Sequence, residues 1–376
     1  MNGNYLYTDM WAHVSRIFPH LEESARQCGA MKRCRRVPNA EALIRMGMVY
    51  AVSDLSLKDV AAWARALEIA FISGPGLHYR LKTAESWFER LLVDALQKGI
   101  ESKPVGLPVK IVDASVITGP GSTGTDWRAH VSLDPDTGRI TSCELTDAKG
   151  GESFSRYHFK KGEIVLGDRG YARARGICSV VSCGAHVLVR VSPCSMRICD
   201  DSGRTMSLMS YAHNVREGET KQWKVRIPVP PDNNRGSWHV RKAKAWVSGR
   251  IIAFRTKKGD VMWLFTDLSP MRLSAEAAKR LFRVRWQVEL LFKRLKSQLD
   301  LKDLPTRKGP TARSWLLLKF LAAAVAQQML TPIEPFPPGQ GGVRQNRIQC
   351  EPVVALQDDA MDPEGSSSLL RPTIGD

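Results

Sequence analysis

The sequence predicts an α/β protein in which a helical N-terminal region precedes a strand-rich domain. Residues 1–102 carry apolar residues at helical spacing. The period then shortens to that of strands, and residues 109–330 are interpreted as one α/β domain. Residues 196–260 are rich in short strands and turns, which indicates an insertion into that domain. Residues 331–376 show little periodicity and are predicted to be a disordered tail.

The charge of the chain is strongly positive and unevenly distributed. The 376 residues carry a net charge of +17. From Pro332 onward, three arginines stand against seven acidic residues, a net charge of −4, so the preceding residues carry +21. Cations that neutralise phosphates release condensed counterions and thereby gain affinity. A nucleic-acid partner is therefore favoured over the alternative that the charge only maintains solubility.

The eight cysteines do not indicate a disulfide framework in a chain of this length. Four of them form two C-x4-C pairs: Cys178, Cys183, Cys194 and Cys199. Zinc sites normally have tighter pairs, so free thiols in a reducing cytoplasm are favoured. The N-terminus lacks the charged and apolar regions of a signal peptide. The apolar run at residues 316–325 is too short to span a bilayer, and a cytoplasmic location is expected.

Within the N-terminal region, three helical stretches are predicted. Residues 40–51 have apolar residues at helical spacing, and residues 54–67 follow, with Ser56 as the N-cap. The sequence GPG at residues 74–76 is predicted to break the chain before helix resumes over residues 78–96. Three arginines precede the second helix: Arg33, Arg35 and Arg36. Such a unit fits DNA binding, and it fits equally a helical bundle with a solvated charged face.

Short aliphatic runs then predict a series of strands. Residues 128–134 and 140–147 are interpreted as a strand pair, because the intervening PDTGR has turn chemistry. Further strands are predicted at residues 109–117, 162–171, 185–192 and 261–269.

Two aspartates occupy unusual places in these runs. Asp113 lies in the middle of VKIVDASVI, and Asp168 follows the aliphatic part of GEIVLGDRGY. A buried carboxylate is unfavourable unless something compensates its lost hydration. Strand ends are also where α/β sheets place functional side chains. Either aspartate alone could cap a turn, but the two together indicate a candidate site.

A third carboxylate lies on a predicted helix over residues 274–299. At 100° per residue, one narrow stripe beside the apolar face contains Arg285, Glu289, Lys293 and Lys296. Surface ion pairs at i,i+4 are the alternative interpretation, and each contributes only about 0.2–0.5 kcal/mol. That alternative leaves the two strand aspartates unexplained.

Three carboxylates from two strands and a helix suit a pair of Mg²⁺ ions. The set comprises Asp113, Asp168 and Glu289. Hard cations prefer carboxylate oxygens, and Mn²⁺ is an expected substitute for Mg²⁺. Two ions about 3.5–4 Å apart can activate an attacking oxygen and stabilise a leaving one. Neighbouring cations can hold a phosphate backbone and offset charge at the reacting phosphorus.

Several motifs carry a resemblance to a known family. VDAS at residues 112–115, GDRGY at 167–171 with the preceding GGESFSR, and RWQVELLFKRLK at 285–296 are similar to motifs of bacterial DDE transposases. The chain resembles in particular the insertion-sequence four group with its YREK signature, over roughly residues 30–330. The signature falls on Phe282, Arg285, Glu289 and Lys296.

The resemblance implies a fold and an activity. The expected fold is an RNase H-like catalytic core with an all-helical, DNA-binding N-terminal domain and a β-strand insertion. The expected reaction is cut-and-paste transposition, in which water and then the freed 3′-hydroxyl attack phosphodiester bonds. Double-stranded DNA, as terminal inverted repeats and target, is the implied partner of a homodimer.

The resemblance also implies residue roles. The three carboxylates would bind the metal ions, while Arg285, Lys293 and Lys296 would contact DNA. Phe282 replaces the signature tyrosine, so its ring can pack but a hydroxyl contact with phosphate is lost. Trp263 would either stack on a flipped base or belong to the core. Alternatives to an active transposase are a DNA-binding remnant that inhibits transposition and a structure-directed nuclease.

Overall fold

The computed structural model describes most of the chain before residue 330. It covers residues 11, 13–98, 108–231, 239–256, 259–298, 301, 304, 306 and 309–329. The tail predicted at residues 331–376 lies outside the described residues.

Every described secondary-structure element before residue 98 is a helix. Residues 13–17 are helical and precede α1 (Leu21–Gln27), α2 (Ala40–Val52), α3 (Leu57–Ala66), α4 (Gly74–Thr83) and α5 (Glu85–Lys98). The side chain of Ser56 caps α3 by accepting a hydrogen bond from the backbone of Asp59, whose carboxylate accepts the Ser56 N–H in return. The predicted N-cap at Ser56 is therefore confirmed.

The expected break at GPG is wrong, because these three residues begin α4. Ser73 caps that helix, and its Oγ accepts the Gly76 N–H at 3.3 Å. Pro75 lies in the first turn, where a backbone N–H has no partner within the helix and the fixed φ of proline suits the helix. The helical pattern is interrupted later, at Ala84, between α4 and α5.

A single mixed sheet contains all ten described strands. They are β1 (Val109–Ile117), β2 (Trp127–Asp134), β3 (Arg139–Asp147), β4 (Ile164–Gly167), β5 (His186–Val191), β6 (Ile198–Cys199), β7 (Thr205–Met206), β8 (Thr220–Val229), β9 (Ala245–Arg255) and β10 (Val261–Thr266). Their spatial order is β3-β2-β1-β4-β5-β10-β9-β8-β6-β7. β4 runs parallel to both β1 and β5, whereas the other pairs are antiparallel.

The strands predicted for residues 196–260 extend this same sheet. The sequence predicts short strands here, but β9 runs as one strand of 11 residues through Gly249. Gly249 permits this, because a Cβ there would lie 2.5 Å from the carbonyl oxygen of Thr266 on β10. The absence of a side chain thus allows β9 and β10 to approach closely.

Two apolar clusters cover the opposite faces of the sheet. Because side chains alternate along a strand, Ile111 belongs to the larger cluster and Val112 to the smaller one. The smaller cluster includes side chains of α6 (Ala174–Ser182). The larger cluster includes side chains of the N-terminal helices and of the helices that follow β10.

The helix predicted over residues 274–299 is divided in two. α8 (Ala275–Val284) and α9 (Trp286–Gln298) meet at Arg285, and a four-residue helix, α7 (Leu208–Tyr211), lies earlier in the chain. The Arg285 N–H bonds to the carbonyl of Phe282, and the Val288 N–H bonds to that of Arg285. These i→i+3 bonds tighten the turn relative to an α-helix. The prediction of a single continuous helix was therefore wrong.

The last described helix, α10 (Pro310–Met329), packs against α2, α4, α5 and β3. Arg313 forms ion pairs with Glu85 and Glu89 at 2.5 and 2.7 Å. No described helix is long and apolar enough to cross a bilayer. The cysteines within the described part are free thiols: Cys28, Cys34, Cys143, Cys178, Cys183, Cys194 and Cys199.

Candidate active site

The strand register brings the two aspartates together. Ile111 of β1 pairs with Leu166 of β4 in a parallel ladder. Continuing that register by two residues sets Asp113 beside Asp168, on the same face as Ile111. This is the face that α9 covers, since α9 packs against β1.

A cation extends the row on the next strand. Gly167 pairs with Val189 across β4 and β5, so the next position sets Asp168 beside Arg190. The Arg190 Nη1 and Asp168 Oδ1 atoms are 3.9 Å apart. Two carboxylates and one guanidinium therefore follow one another across three adjacent strands.

Asp113 is held where its charged form is disfavoured. Burial raises its pKa to about 6, and the negative charges of Glu152 and Asp168 act in the same direction. The Ala114 N–H, which the carboxylate accepts at 2.9 Å, and the nearby Arg285 lower the pKa only in part. The local charge around Asp113 is thus incompletely compensated.

Asp168 is also incompletely satisfied. Its Oδ1 atom is buried and accepts no hydrogen bond from the residues that the structure describes. The Arg190 guanidinium at 3.9 Å is too distant for one. A buried acceptor in this state is unfavourable unless a further partner binds it.

Glu289 approaches Asp113 through an intervening cation. Arg285, only 12% exposed, has its Nη1 atom 3.9 Å from Asp113 Oδ2 and its Nη2 atom 2.5 Å from Glu289 Oε1. The guanidinium also lies over the ring of Phe282, 5.6 Å from its centroid. The turn between α8 and α9 therefore directs Arg285 between a strand carboxylate and a helix carboxylate.

An open cleft of about 580 Å³ separates β1 from α9. We call it the candidate active-site cleft. Its lining comprises Asp113, Ala114, Ser115, Glu289, Phe292, Lys293, Lys296 and Ser297. Acidic side chains from both elements and two lysines from α9 thus share one cavity.

The donor set fits a divalent cation, although no complete ligand group is preformed. Among the described residues, no three histidine, cysteine, aspartate or glutamate side chains are arranged to hold a metal. Arg285 stands between Asp113 and Glu289 instead. The Asp168 oxygen without a hydrogen bond and the raised pKa of Asp113 nevertheless indicate carboxylate oxygens whose negative charge is not fully compensated by neighbouring cations.

The two aromatic candidates are both buried. Phe282 packs in the larger apolar cluster, where its ring supports Arg285. Trp263 is 3% exposed and packs in the smaller cluster, with its ring 6.1 Å from that of Trp223. This burial favours the core role that the sequence left open beside base stacking.

Two further residues near the site were not singled out from the sequence. Arg190 is the only arginine or lysine in the apolar strand AHVLVRVS. A cation within such a strand is the sequence feature that could have identified it. Glu152 influences Asp113 electrostatically from the loop after β3. It lies within GGESFSR, but nothing in the motif itself indicates which strand the loop approaches.

Comparison with known families decides the class of protein. The family described as Transposase DDE domain matches residues 105–325, which is more than half of the chain.

The chain belongs to the DDE transposase family.

Full-length relatives agree with this assignment. The putative transposase InsL of insertion sequence element IS186A from Escherichia coli strain K12 is 30% identical over 366 residues. That alignment covers 90% of this chain and 98% of the relative. The transposase of insertion sequence element IS421 from Escherichia coli is also 30% identical, over 367 residues and with the same coverage. The chain is therefore similar to insertion-sequence transposases along almost their whole length.

Among solved structures, the chain is similar to a piggyBac transposase in a synaptic complex with hairpin DNA. The sequence identity is 7% and the TM-score is 0.48, with 85% of this chain and 74% of that chain covered. As a DDE transposase, the chain is an enzyme of DNA cleavage and joining, and this family generally uses divalent metal ions.

Proposed function

We propose that this DDE transposase cuts and joins phosphodiester bonds at insertion-sequence ends with two Mg²⁺ ions held by Asp113, Asp168 and Glu289. One observation carries the proposal. Asp113 on β1 and Asp168 after β4 each lie two residues beyond the last pair of a parallel ladder, Asp168 has a buried oxygen without a hydrogen bond, and Asp113 lines a cleft together with Glu289. Mn²⁺ is expected to replace Mg²⁺, because both accept oxygen ligands.

The ions would activate the attacking oxygen and stabilise the leaving one. The protein's own contribution is to hold the carboxylates at a water-accessible edge and to supply cations beside them. Arg285 lies between Asp113 and Glu289 and compensates both charges. Where cations held by these carboxylates would neutralise them, its guanidinium would be available for a DNA phosphate, which it suits by geometry as well as charge.

Lys293 and Lys296 are proposed to contact the phosphate backbone. Both lie on α9 and line the candidate active-site cleft, within reach of a DNA strand that would lie against the carboxylates. Lys296, together with Arg285 and Glu289, supports membership of the YREK group, with Phe282 at the tyrosine position. The Phe282 ring retains the packing role by supporting Arg285, while the hydroxyl contact is lost.

The proposed fold assignment is an RNase H-like core. The order β3-β2-β1-β4-β5, with β4 parallel to both neighbours, supports it. In this assignment residues 1–102 form the DNA-binding helical domain and residues 196–260 the insertion. The partners are double-stranded DNA, as terminal repeats and target, and a second copy of the chain, acting in the bacterial cytoplasm.

A Mg²⁺-dependent nicking assay on DNA carrying the element's own terminal repeats tests the proposal. Asp113→Ala, Asp168→Ala and Glu289→Ala are each expected to abolish cleavage while DNA binding is largely retained. The matched control is Asp201→Ala, because Asp201 is an exposed carboxylate outside the site. Near wild-type cleavage by any of the three variants would remove that residue from the ligand set.

The unaltered protein distinguishes the alternatives. Binding to the terminal repeats without cleavage would indicate a remnant that acts as an inhibitor. Cleavage that does not depend on the repeats would instead indicate a structure-directed nuclease. Cleavage specific to the repeats and dependent on Mg²⁺ is the expected result.

A further inference from the structure

The two strand aspartates lie where their strands have parted. The parallel ladder between β1 and β4 has its last pair at Ile111 and Leu166, and Asp113 and Asp168 each lie two residues beyond it. In the described sheet, the ladder itself therefore does not fix the separation of the two aspartates. Two cations about 3.5–4 Å apart require carboxylates at a defined spacing, so other contacts have to set it.

A buried tyrosine hydroxyl contacts the backbone of Asp113. Tyr157, which lies in the connection between β3 and β4, is 8% exposed. Its hydroxyl donates to the Asp113 carbonyl at 3.3 Å. A carbonyl oxygen only accepts hydrogen bonds, so the single proton of the Tyr157 hydroxyl is used in this bond. The hydroxyl thereby holds the backbone of β1 at the point where the ladder with β4 has ended.

A second buried tyrosine continues the connection to Asp168. Tyr171 is fully buried, and its hydroxyl oxygen lies 3.0 Å from that of Tyr157. Because the Tyr157 proton is donated to Asp113, Tyr171 is the donor of this second bond. The backbone N–H of Tyr171 in turn donates to the Asp168 carbonyl at 3.0 Å. Two tyrosines and three hydrogen bonds thus connect the backbones of the two aspartates.

Aromatic packing holds both tyrosine rings in place. The centroid of the Tyr171 ring lies 5.2 Å from that of Phe154, and the centroid of the Tyr157 ring lies 6.2 Å from that of Phe159. Phe154 also packs on the last residue of β4, since a Cβ added at Gly167 would lie 2.8 Å from its ring. Close packing of this kind restricts the rings to one arrangement. The two hydroxyls therefore have fixed positions relative to the strands.

We propose that Tyr157, supported by Tyr171, is a positioning residue that fixes the spacing of Asp113 and Asp168 for divalent cations. The inference rests on the proposed function. The hydroxyls act on the backbone of the aspartates and leave their carboxylates to the cations. The donors follow one direction, from Tyr171 through Tyr157 to Asp113, and hydrogen bonds in such a chain strengthen one another. Partners outside the direct ligand set typically change metal affinity about 10–100-fold.

Mn²⁺ binding to the full, DNA-free chain tests the inference. Electron paramagnetic resonance of free Mn²⁺ gives the binding constant without any cleavage step. Tyr157→Phe retains the ring and removes the hydroxyl that contacts Asp113, so it is expected to weaken Mn²⁺ binding about 10-fold. Tyr211→Phe is the matched control, because the Tyr211 ring packs against the same smaller apolar cluster but beside Trp223. It should bind Mn²⁺ as the unaltered protein does.

The direction of the hydrogen-bond chain predicts an order of effects. Tyr171→Phe leaves Tyr157 able to donate to Asp113, so it should weaken Mn²⁺ binding only about 2–3-fold. The double variant should bind Mn²⁺ no more weakly than Tyr157→Phe, because the contact with Asp113 is already lost there. A role in packing alone predicts instead that every folded variant binds Mn²⁺ equally well. Urea unfolding in EDTA measures stability separately and identifies any variant that has lost its fold.

The outcomes separate this inference from the proposed function. Unchanged Mn²⁺ binding in Tyr157→Phe, with binding lost in Asp113→Asn, would overturn the role of the tyrosines alone. A double variant that binds more weakly than Tyr157→Phe would contradict the one-way chain. Lack of Mn²⁺ binding by the unaltered protein would overturn the metal-dependent function and this inference with it. If Tyr157→Phe does not fold, Tyr171→Phe decides, because weaker binding there supports the inference and unchanged binding contradicts it.

Discussion

Burial makes the stability of the protein depend on the charge of Asp113. Its side chain is 19% exposed, and burial raises its pKa from the ordinary value of 3.8 to about 6. The folded protein therefore binds a proton at this position more tightly than the unfolded chain does. An aspartate in this state destabilises the metal-free protein at neutral pH. That destabilisation supports the proposed role of Asp113 as a cation ligand.

Asp113→Asn is expected to stabilise the metal-free protein. Because the folded-state pKa is raised, the contribution of Asp113 to stability is fully present below about pH 3.8 and is lost as pH rises through about 6. The amide carries no charge, so the variant should gain about 1–3 kcal/mol in the free energy of unfolding near pH 8. Urea unfolding in EDTA measures this gain, which should shrink towards about pH 4. A variant less stable than the unaltered protein near pH 8 would contradict the expectation.

At the scale of elements, alternation along β10 determines which apolar cluster Trp263 faces. Leu264 faces the larger apolar cluster, so its neighbour Trp263 faces the smaller one. The sequence shows that a tryptophan lies in an apolar strand, but not which cluster each face of the strand meets. The pairing of β10 with β5 and β9 sets that direction.

Trp263→Ala is expected to destabilise the protein by about 3–5 kcal/mol, the usual effect of truncating a buried tryptophan. Trp286→Ala is the matched control, since Trp286 is 54% exposed, and it should change stability by no more than about 0.5 kcal/mol. Urea unfolding of both variants provides the comparison. Preserved stability in Trp263→Ala together with a selective loss of cleavage would instead support base stacking.

Helix boundaries show a similar limit of local patterns. The N-cap at Ser56 could be predicted because a cap depends only on the serine side chain and on residues close to it in the chain. The structure confirms this cap. No glycine or proline marks the interruption at Arg285, and the residues on both sides continue the apolar period of one helix. Contacts of Arg285 with Asp113 and Glu289 accompany that interruption, and they are formed only in the folded chain.

At the scale of the whole molecule, α10 joins distant parts of the chain. Besides the ion pairs of Arg313, the hydroxyl of Ser314 donates to the carbonyl of Leu81, and the Ile140 N–H of β3 donates to the side chain of Gln327. Residues 1–337 accordingly form one compact unit by their contacts. The N-terminal helices and β3 are therefore connected through a helix that lies near the end of the described residues.

Truncation after Pro337 is expected to leave the free energy of unfolding within about 0.5 kcal/mol of the full chain. Truncation after Gly309 should instead abolish folding. It removes α10, whose fully buried side chains include Leu316, Leu318, Phe320 and Leu321. Each contributes about 1.5–3 kcal/mol by burial, which together approaches the whole stability of a typical domain. Circular dichroism and urea unfolding of both truncated chains test this, and a folded shorter chain would contradict it.

The sequence by itself determined the alternation of helix and strand, the three carboxylates with their neighbouring cations, and the resemblance to DDE transposases. These features are local, because periodicity, caps and motifs are carried by residues close together in the chain. Only the tertiary structure decided that β6–β9 extend one sheet, that Arg285 lies between Asp113 and Glu289, and that the loop after β3 contacts Asp113. Each of these depends on strand register and on contacts between distant residues, whose energies no local pattern encodes.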